Sequence, residues 1–336
     1  MNVLSLFDGM SCGQIALNRL GIKYKNYYAS EIDKYAIQVA QANYPETTQL
    51  GPVEFITKEM FGENKIDLII GGSPCQGFSI AGKQLNFDDP RSLLFFEFVR
   101  LVKELKPKYF MLENVKMKKE YQDIITDYMG VEPISINSAL VSSQNRQRLY
   151  WTNIPNITQP NDKGILLKDV LEDINEVKGT ITPKEYSSDA LCHHVGDADN
   201  INGHESIKRV YAGSGKSPTL NSCSGGNREP KVLCNESATK GGKAYSLTAS
   251  YQGAVAWNSC ERKQRTMVPV CDTDDVDPNI YNGVYYRKLT PLECERLQTV
   301  PDNYTNHVSK TQRYKMLGNG WTVDVICHIL SKMKQN

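Results

Sequence analysis

Short apolar runs alternate with helically spaced ones through the first half of the chain. Val3-Leu4-Ser5-Leu6-Phe7 has the length and make-up of a buried strand and is closed by Asp8-Gly9. Ile15, Ala16 and Leu20 then share a helical face that Gly21 ends. Tyr27 to Ser30 predicts a second strand, and Asp33 to Asn43 a second helix stopped near Pro45. Ile66 to Ile70 predicts a strand running into Gly71-Gly72-Ser73-Pro74. From Arg91 onward, Leu94, Phe98, Leu101, Val102 and Leu105 keep helical spacing until Pro107, and Tyr109 to Leu112 is the next strand. This alternation predicts an α/β fold, a mostly parallel sheet covered by helices on both faces. Ligands of such sheets sit beyond the carboxyl ends of the strands. The polar residues ending these strands are therefore the first candidates for chemistry: Phe7-Asp8-Gly9, Glu31, Pro74-Cys75 and Glu113-Asn114.

The pattern changes after Trp151. Residues 153–284 are rich in Asn, Ser, Gly, Thr and Lys, with short β-like pieces and little helical periodicity. Lys216-Ser217-Pro218-Thr219-Leu220 is faintly echoed by Lys243-Ala244-Tyr245-Ser246-Leu247-Thr248. Regular patterning returns past Asp277 and Pro278, and Val323, Ile326, Cys327 and Leu330 form the apolar stripe of a final helix. The expected organisation is a first domain over 1–152, an inserted, mainly β domain over 153–284, and a return to the first domain over 285–336.

Composition narrows the class without naming a chemistry. A 40% hydrophobic and 23% charged chain of 336 residues is an ordinary globular protein. No apolar run approaches a membrane span. The start, MNVLSLFDG, lacks the marks of a secretory signal, so a cytoplasmic home and no membrane association are expected. Nine cysteines, an odd number without a C-x-x-C pair, read as free thiols. Cys192-His193-His194 has no partner cluster at ligand spacing, so no metal is expected. The net charge is only +1, but residues 203–270 hold ten Lys or Arg against four Glu, and 285–336 eight Lys or Arg against four acids. Basic surface gathered in the second half suits a polyanion, although a solvated charged face gives the same bias.

Three short motifs carry the chemistry. In Ser73-Pro74-Cys75-Gln76-Gly77-Phe78-Ser79, a Pro-Cys after a buried strand sets a thiol at the rim of the sheet. A thiol needs a favourable local field to attack as thiolate, and an inert buried cysteine is the plainer alternative. Glu113-Asn114-Val115 places a carboxylate at another strand end, where it can exchange a proton in the same cleft or be a surface turn residue. Gln144-Asn145-Arg146-Gln147-Arg148 carries two arginines two residues apart, which share a face if they lie in a strand. Their guanidinium forks suit a base oxygen or a phosphate, or a solvent-facing ion pair.

Taken in order, Phe7-Asp8-Gly9, Glu31, Pro74-Cys75-Gln76, Glu113-Asn114-Val115, Gln144-x-Arg146-x-Arg148 and Gly318-Asn319-Gly320 resemble the DNA cytosine-5 methyltransferase family of bacterial and phage type. Phe87-x-Asp89-x-Arg91-Ser92 with Leu94-Phe95-Phe96, and Arg287-Lys288-Leu289-Thr290-Pro291-x-Glu293, extend the resemblance. It covers residues 1 to about 152 and 285–336. It implies a Rossmann-like, S-adenosylmethionine-dependent methyltransferase sheet with 153–284 as an inserted, mainly β target recognition domain.

The resemblance also implies roles. Cys75 is the nucleophile toward carbon 6 of a flipped-out cytosine, Glu113 protonates or hydrogen-bonds ring nitrogen 3, Arg148 holds the base's carbonyl oxygen, and Arg146 supports the pocket. Gln76, Ser79 and Lys83 belong to a loop that closes on the DNA. The cofactor, S-adenosyl-L-methionine, is expected against Phe7, Gly9, Glu31, Ile32, Pro74, Leu94, Asn319 and Trp321. Glu31 would accept from the ribose hydroxyls, and Ile32 would pack on the adenine. Double-stranded DNA is the implied partner of a monomer, and no partner restriction enzyme can be inferred.

Two departures stand out. Gly51-Pro52-Val53 lacks the acidic residue that family members carry where the third strand ends, and Gly318-Asn319-Gly320-Trp321-Thr322-Val323 replaces a shorter Gly-Asn-Ser-Val form. A branch of the family methylates cytosine in transfer RNA with the same catalytic positions, and is the first alternative. A catalytically silent DNA-binding relative would lack Cys75, Glu113 or Arg148. A nicotinamide-dependent dehydrogenase would need G-x-G-x-x-G, which Phe7-Asp8-Gly9-Met10-Ser11-Cys12-Gly13 does not contain.

Overall fold

The computed structural model describes residues 1–73, 90–172, 179–183, 187, 189–199, 201, 207–220, 231–233 and 284–333. The chain forms two compact units, one of residues 1–137, 147–160 and 323–336, the other of residues 138–146 and 161–322.

The first unit is built on a seven-stranded sheet. Its strands are β1 (Asn2–Leu6), β2 (Asn26–Ser30), β3 (Thr48–Gln49), β4 (Leu68–Gly72), β5 (Tyr109–Val115), β6 (Ile134–Asn137) and β7 (Gln147–Thr152), in the spatial order β3-β2-β1-β4-β5-β7-β6. Pairing is parallel from β3 to β5, and β7 lies antiparallel between β5 and β6. The α/β, Rossmann-like expectation is met. After β1 the chain builds outward to β2 and β3, then crosses back to place β4 on the other side of β1. In sheets of this kind that reversal opens a crevice at the carboxyl ends of the two strands.

Helices α1 (Cys12–Arg19), α2 (Lys34–Asn43), α3 (Pro90–Leu105) and α4 (Lys119–Met129) form where the apolar periodicity or a good cap allows. The Asp33 side chain caps α2 by accepting from the Tyr35 amide, and Gly130 ends α4 in a left-handed conformation. Leu4, Leu6 and Ile69 of the sheet bury one face against Phe95, Phe98 and Leu101 of α3 in a single core. Gly71 is required there. A Cβ on it would stand 2.9 Å from the Leu6 carbonyl oxygen and 3.0 Å from the Phe98 ring.

The second unit carries a closed five-stranded barrel, β8 (Gly179–Pro183), β9 (His194–Ala198), β10 (Arg209–Tyr211), β11 (Lys231–Leu233) and β12 (Val284–Lys288), in the order β10-β11-β12-β8-β9. Ile181, Val195, Ala198, Ile201, Ile207, Val210 and Ala212 form its core. The composition predicts a mainly β lobe over 153–284; the barrel's strands run from Gly179 to Lys288. The echo at 243–248 lies outside the described residues. Two further helices follow, α5 (Pro291–Leu297) and α6 (Lys310–Asn319). Thr290-Pro291-x-Glu293 is a capping box: the Thr290 hydroxyl accepts from the Glu293 amide at 3.1 Å, and Glu293 accepts from the Thr290 amide at 2.7 Å.

The final helix, α7 (Val323–Leu330), belongs to the first unit. Val323, Ile326, Cys327 and Leu330 are buried as their spacing predicts, with the Cys327 thiol donating to the Ala16 carbonyl and Arg19 paired to Asp324.

Candidate functional site

Four strand ends meet at the carboxyl edge of the first unit's sheet. Beyond β1 the chain turns through Phe7, Asp8, Gly9, Met10 and Ser11. Phe7, Gly9 and Ser11 all adopt left-handed backbone, with φ of 57°, 58° and 68°. A left-handed non-glycine residue costs roughly 1–2 kcal/mol, so the surroundings must hold this turn in place. They do so from β2. The Asp8 amide donates to the Ser30 carbonyl at 3.0 Å, the Gly9 amide to Glu31 Oε2 at 2.7 Å, and the Tyr27 hydroxyl to Asp8 Oδ1 at 2.9 Å.

Glu31 is the hub at the end of β2. Its Oε1 accepts from the Ile32 and Asp33 amides at 2.7 and 2.8 Å. Ile32, the next residue, is 76% exposed, an unusual position for a large aliphatic side chain. Asp8 is buried, and that burial pushes its carboxyl from 3.8 to about 6 against the pull of the Ser5, Ser11 and Tyr27 hydroxyls. The same burial, together with the Asp8 charge, raises the Tyr27 phenol well above its usual range.

The ends of β4 and β5 form the second half of the edge. Gly72 is paired with Glu113, and one residue on, Asn114 Nδ2 donates to the Ser73 hydroxyl at 3.1 Å. Across the other side of β5, Val115 pairs with Arg148 of β7, and Arg148 Nε lies 3.0 Å from Glu113 Oε1. Both side chains are largely buried, 14% and 11% exposed, so each charge depends on the other more than a surface pair would. Arg148 also donates to the Gln147 carbonyl at 2.8 Å. Leu94 sits near the start of α3, half-buried against the core that also receives Phe7.

Arg146 behaves differently. β7 begins at Gln147, so Arg146 precedes the strand, belongs to the second unit, and does not share a strand face with Arg148. It is 3% exposed and donates to the Leu220, Gly318 and Gly320 carbonyls at 3.1, 3.2 and 3.0 Å. Two of those carbonyls flank Asn319, the exposed last residue of α6. The arginine thus fixes the backbone around Asn319, within the same unit as the buried Trp321.

Pro74, Cys75, Gln76, Ser79 and Lys83 lie outside the described residues, as do Arg228, Arg262, Lys263 and Arg265 of the basic stretch. Among the described residues no group of three or more His, Cys, Asp or Glu side chains could hold a metal ion. His193 bonds Ser214 and His194 bonds Asp197, which accounts for the Cys192-His193-His194 run locally. No described helix is long and apolar enough to cross a membrane. Sequence patterning gave neither Tyr27 nor Ser73 a role of its own. The available signal was that Tyr27 is a hydroxyl on β2 and Ser73 a hydroxyl one residue past β4, two strands whose carboxyl ends reach this edge.

A C-5 cytosine-specific DNA methylase family model matches residues 1–335. The chain is 30% identical to an orphan methyltransferase, M.SPRI of Bacillus phage SPR, over 99% of this chain and 97% of that one. It is 26% identical to the type II methyltransferase M.HhaI of Haemophilus parahaemolyticus, over 98% and 93%. Among solved structures it resembles the S. pombe Dnmt2 methyltransferase, with a TM-score of 0.61, 14% identity and coverage of 98% and 97%. It also resembles the Entamoeba histolytica methyltransferase EhMeth, at 0.63, 15%, 99% and 97%, and these two likenesses bear on the fold. The strand ends described above and a family match running the length of the chain lead to one conclusion: the chain belongs to the C-5 cytosine-specific DNA methylase family.

Proposed function

We propose that the protein transfers a methyl group from S-adenosyl-L-methionine to carbon 5 of a cytosine flipped out of a specific duplex DNA sequence, through a covalent bond to Cys75. The observation that carries this is the buried Glu113–Arg148 pair at 3.0 Å, beside the strand end that leads through Ser73 to Cys75 two residues later in sequence.

Carbon 5 of cytosine is a poor nucleophile. Addition of the Cys75 thiolate to carbon 6 pushes an electron pair toward the ring, which becomes an enamine rich in electrons at carbon 5. Charge building at nitrogen 3 needs a proton or a strong hydrogen bond, and Glu113 is the group for it, worth ~10²–10⁴-fold as a general acid. Arg148 has two tasks: its Nε pairs with Glu113, and the rest of its fork is suited to the base's carbonyl oxygen. Once carbon 5 is methylated, it loses its proton to a base, the electron pair expels Cys75 from carbon 6, and the ring regains its aromaticity. The target atom lies inside a stacked duplex, so the base must leave the stack at a cost of a few kcal/mol. Gln76, Ser79 and Lys83 are assigned to the loop that stabilises that state.

The residues at the ends of β1 and β2 suit the cofactor. The Glu31 carboxylate faces the Gly9 amide and keeps acceptor capacity on Oε2 for a ribose hydroxyl, and the exposed Ile32 offers an apolar face for adenine. S-adenosyl-L-methionine, when bound, supplies a methyl group on a positively charged sulfur. Phe7, Pro74 and Leu94 are assigned to its surroundings, with Asn319 and Trp321 contributing from the C-terminal motif. Arg146 is assigned to supporting that motif, through the Gly318 and Gly320 carbonyls it binds.

The test is trapping on duplex DNA containing 5-fluorocytosine, where carbon 5 cannot shed its substituent. A covalent adduct with the wild-type protein, absent with Cys75→Ala, is the expected result. An adduct that survives Cys75→Ala overturns the assignment of the nucleophile. Methyl incorporation into transfer RNA alone, with none into duplex DNA, overturns the choice of substrate.

A further inference from the structure

We propose that Tyr27 and Asp8 are a positioning pair for the cofactor loop: the buried phenol, donating to the Asp8 side chain, holds the left-handed turn in the shape that aims the Gly9 amide at Glu31. The inference rests on the assignment of this loop to S-adenosylmethionine.

The strain in the turn is the starting point. Two of its three left-handed residues, Phe7 and Ser11, are not glycine, and such a conformation relaxes unless several contacts over-determine it. Of the bonds from β2 to the turn, those at Asp8 N and Gly9 N are made by the turn's own backbone. The Tyr27–Asp8 bond is the side-chain tether standing behind them. Asp8 is 8% exposed and Tyr27 3%, so neither presents its polar atoms to bulk water; the phenol hydroxyl and Asp8 Oδ1 satisfy each other, while the buried Asp8 Oδ2 has no hydrogen-bond partner among the described residues.

A second observation points the same way. A Cβ on Gly13 would fall 2.7 Å from the Tyr27 hydroxyl and 2.4 Å from Ile70 Cδ1. The Ile70 methyl can rotate aside, but the phenol oxygen sits at the end of a rigid ring and is already committed to Asp8. The first turn of α1 therefore carries no side chain at the one place where the phenol passes. The sequence Phe7-Asp8-Gly9-Met10-Ser11-Cys12-Gly13 thus contains both the acceptor of this bond and the gap that admits its donor. Losing the bond leaves the fold's main core, on the opposite side with Phe95 and Phe98, unaltered, and frees the turn.

The experiment measures S-adenosylmethionine binding by calorimetry, and kcat and KM for the cofactor on duplex DNA, in five proteins. Tyr27→Phe removes only the phenol oxygen, and Asp8→Ala removes the acceptor. Asp8→Asn keeps an acceptor oxygen. Thr126→Val is the control: it deletes the hydrogen bond from Trp151 Nε1, 3.0 Å long and elsewhere in the same unit, and so costs stability without touching the turn. The expected result is a cofactor Kd raised about tenfold in Tyr27→Phe and Asp8→Ala, largely restored in Asp8→Asn, with kcat at saturating cofactor within about twofold of wild type. Thr126→Val is expected to bind like wild type. Should Tyr27→Phe fail to fold, Gly13→Ala displaces the same oxygen by a different route and is expected to raise the Kd likewise. Unchanged affinity in Tyr27→Phe and Asp8→Ala, or an equal loss in Thr126→Val, overturns the positioning role. Failure of the wild-type protein to bind S-adenosylmethionine instead overturns the cofactor assignment itself.

Discussion

Asn114 and Ser73, 41 residues apart in the sequence, are joined side chain to side chain by a 3.1 Å hydrogen bond that ties the end of β5 to the end of β4. The bond sits one residue beyond Glu113 on one strand and two before Cys75 on the other. It therefore bears on how the proposed acid and nucleophile are presented to one base.

Ser73→Ala tests that link. Asn114 is 1% exposed, so the variant leaves a buried amide donor without its acceptor, costing about 1–3 kcal/mol in chemical denaturation. Adduct formation with 5-fluorocytosine DNA should slow measurably yet persist, since the thiol and the acid remain. A full-rate variant would show that the tie is purely structural.

Glu113→Gln should lower single-turnover methyl transfer by ~10²–10⁴-fold, because the amide cannot deliver a proton to the ring. Cofactor affinity should not change. Arg148→Ala should do comparable damage by another route: it removes the fork assigned to the base's carbonyl oxygen, and with it the cation 3.0 Å from a carboxylate that is only 11% exposed, which weakens the fold. The two variants combined should lose much less than the sum of their separate effects, measured as a double-mutant cycle.

Glu31→Ala should raise the cofactor Kd by one to two orders of magnitude, since it deletes both the acceptor of the Gly9 amide and the group assigned to the ribose. Calorimetry with S-adenosylmethionine and with methionine alone separates the two losses. A defect toward the nucleoside-bearing ligand alone is expected.

Asp8 gives a pH signature with a definite sign. Its carboxyl titrates at about 6 in the folded chain against 3.8 as the reference, so the folded state holds the proton more tightly. Folding then loses stability as pH rises from about 4 to about 6, by up to about 3 kcal/mol, and the penalty persists above that range. In Asp8→Asn this contribution is absent. The stability difference between variant and wild type should grow in the variant's favour across that interval and level off above it, read from urea unfolding at each pH. A difference independent of pH refutes the shift.

What local pattern decides was legible in the sequence. Val3 to Phe7, and Leu94 to Leu105, declare a buried strand and an amphipathic helix through residues that lie side by side in the chain. The roles proposed for Cys75, Glu113 and Arg148 rest on the order of motifs, since no periodicity distinguishes a catalytic glutamate from a turn residue. Three features escaped for physical reasons. The bond between Tyr27 and Asp8 joins side chains of different elements, and neither residue type announces such a partner. The separation of Arg146 from Arg148 depends on where β7 starts, which is set by pairing of Gln147 with Asn137 rather than by the local residues. The three-residue strands β10 and β11 are too short to carry alternation, and they exist because the barrel pairs them.

The pairing of β11 with β12 has one more consequence. Leu233 lies opposite Tyr286, so the end of β11 and the start of β12, which bound the fifty residues 234–283 in sequence, stand close together on one antiparallel ladder. The entropy of joining such close ends grows only with the logarithm of the contour between them, ~0.6 kcal/mol for each doubling. The number of residues joining β11 to β12 can therefore change at little cost to the register of the ring of strands.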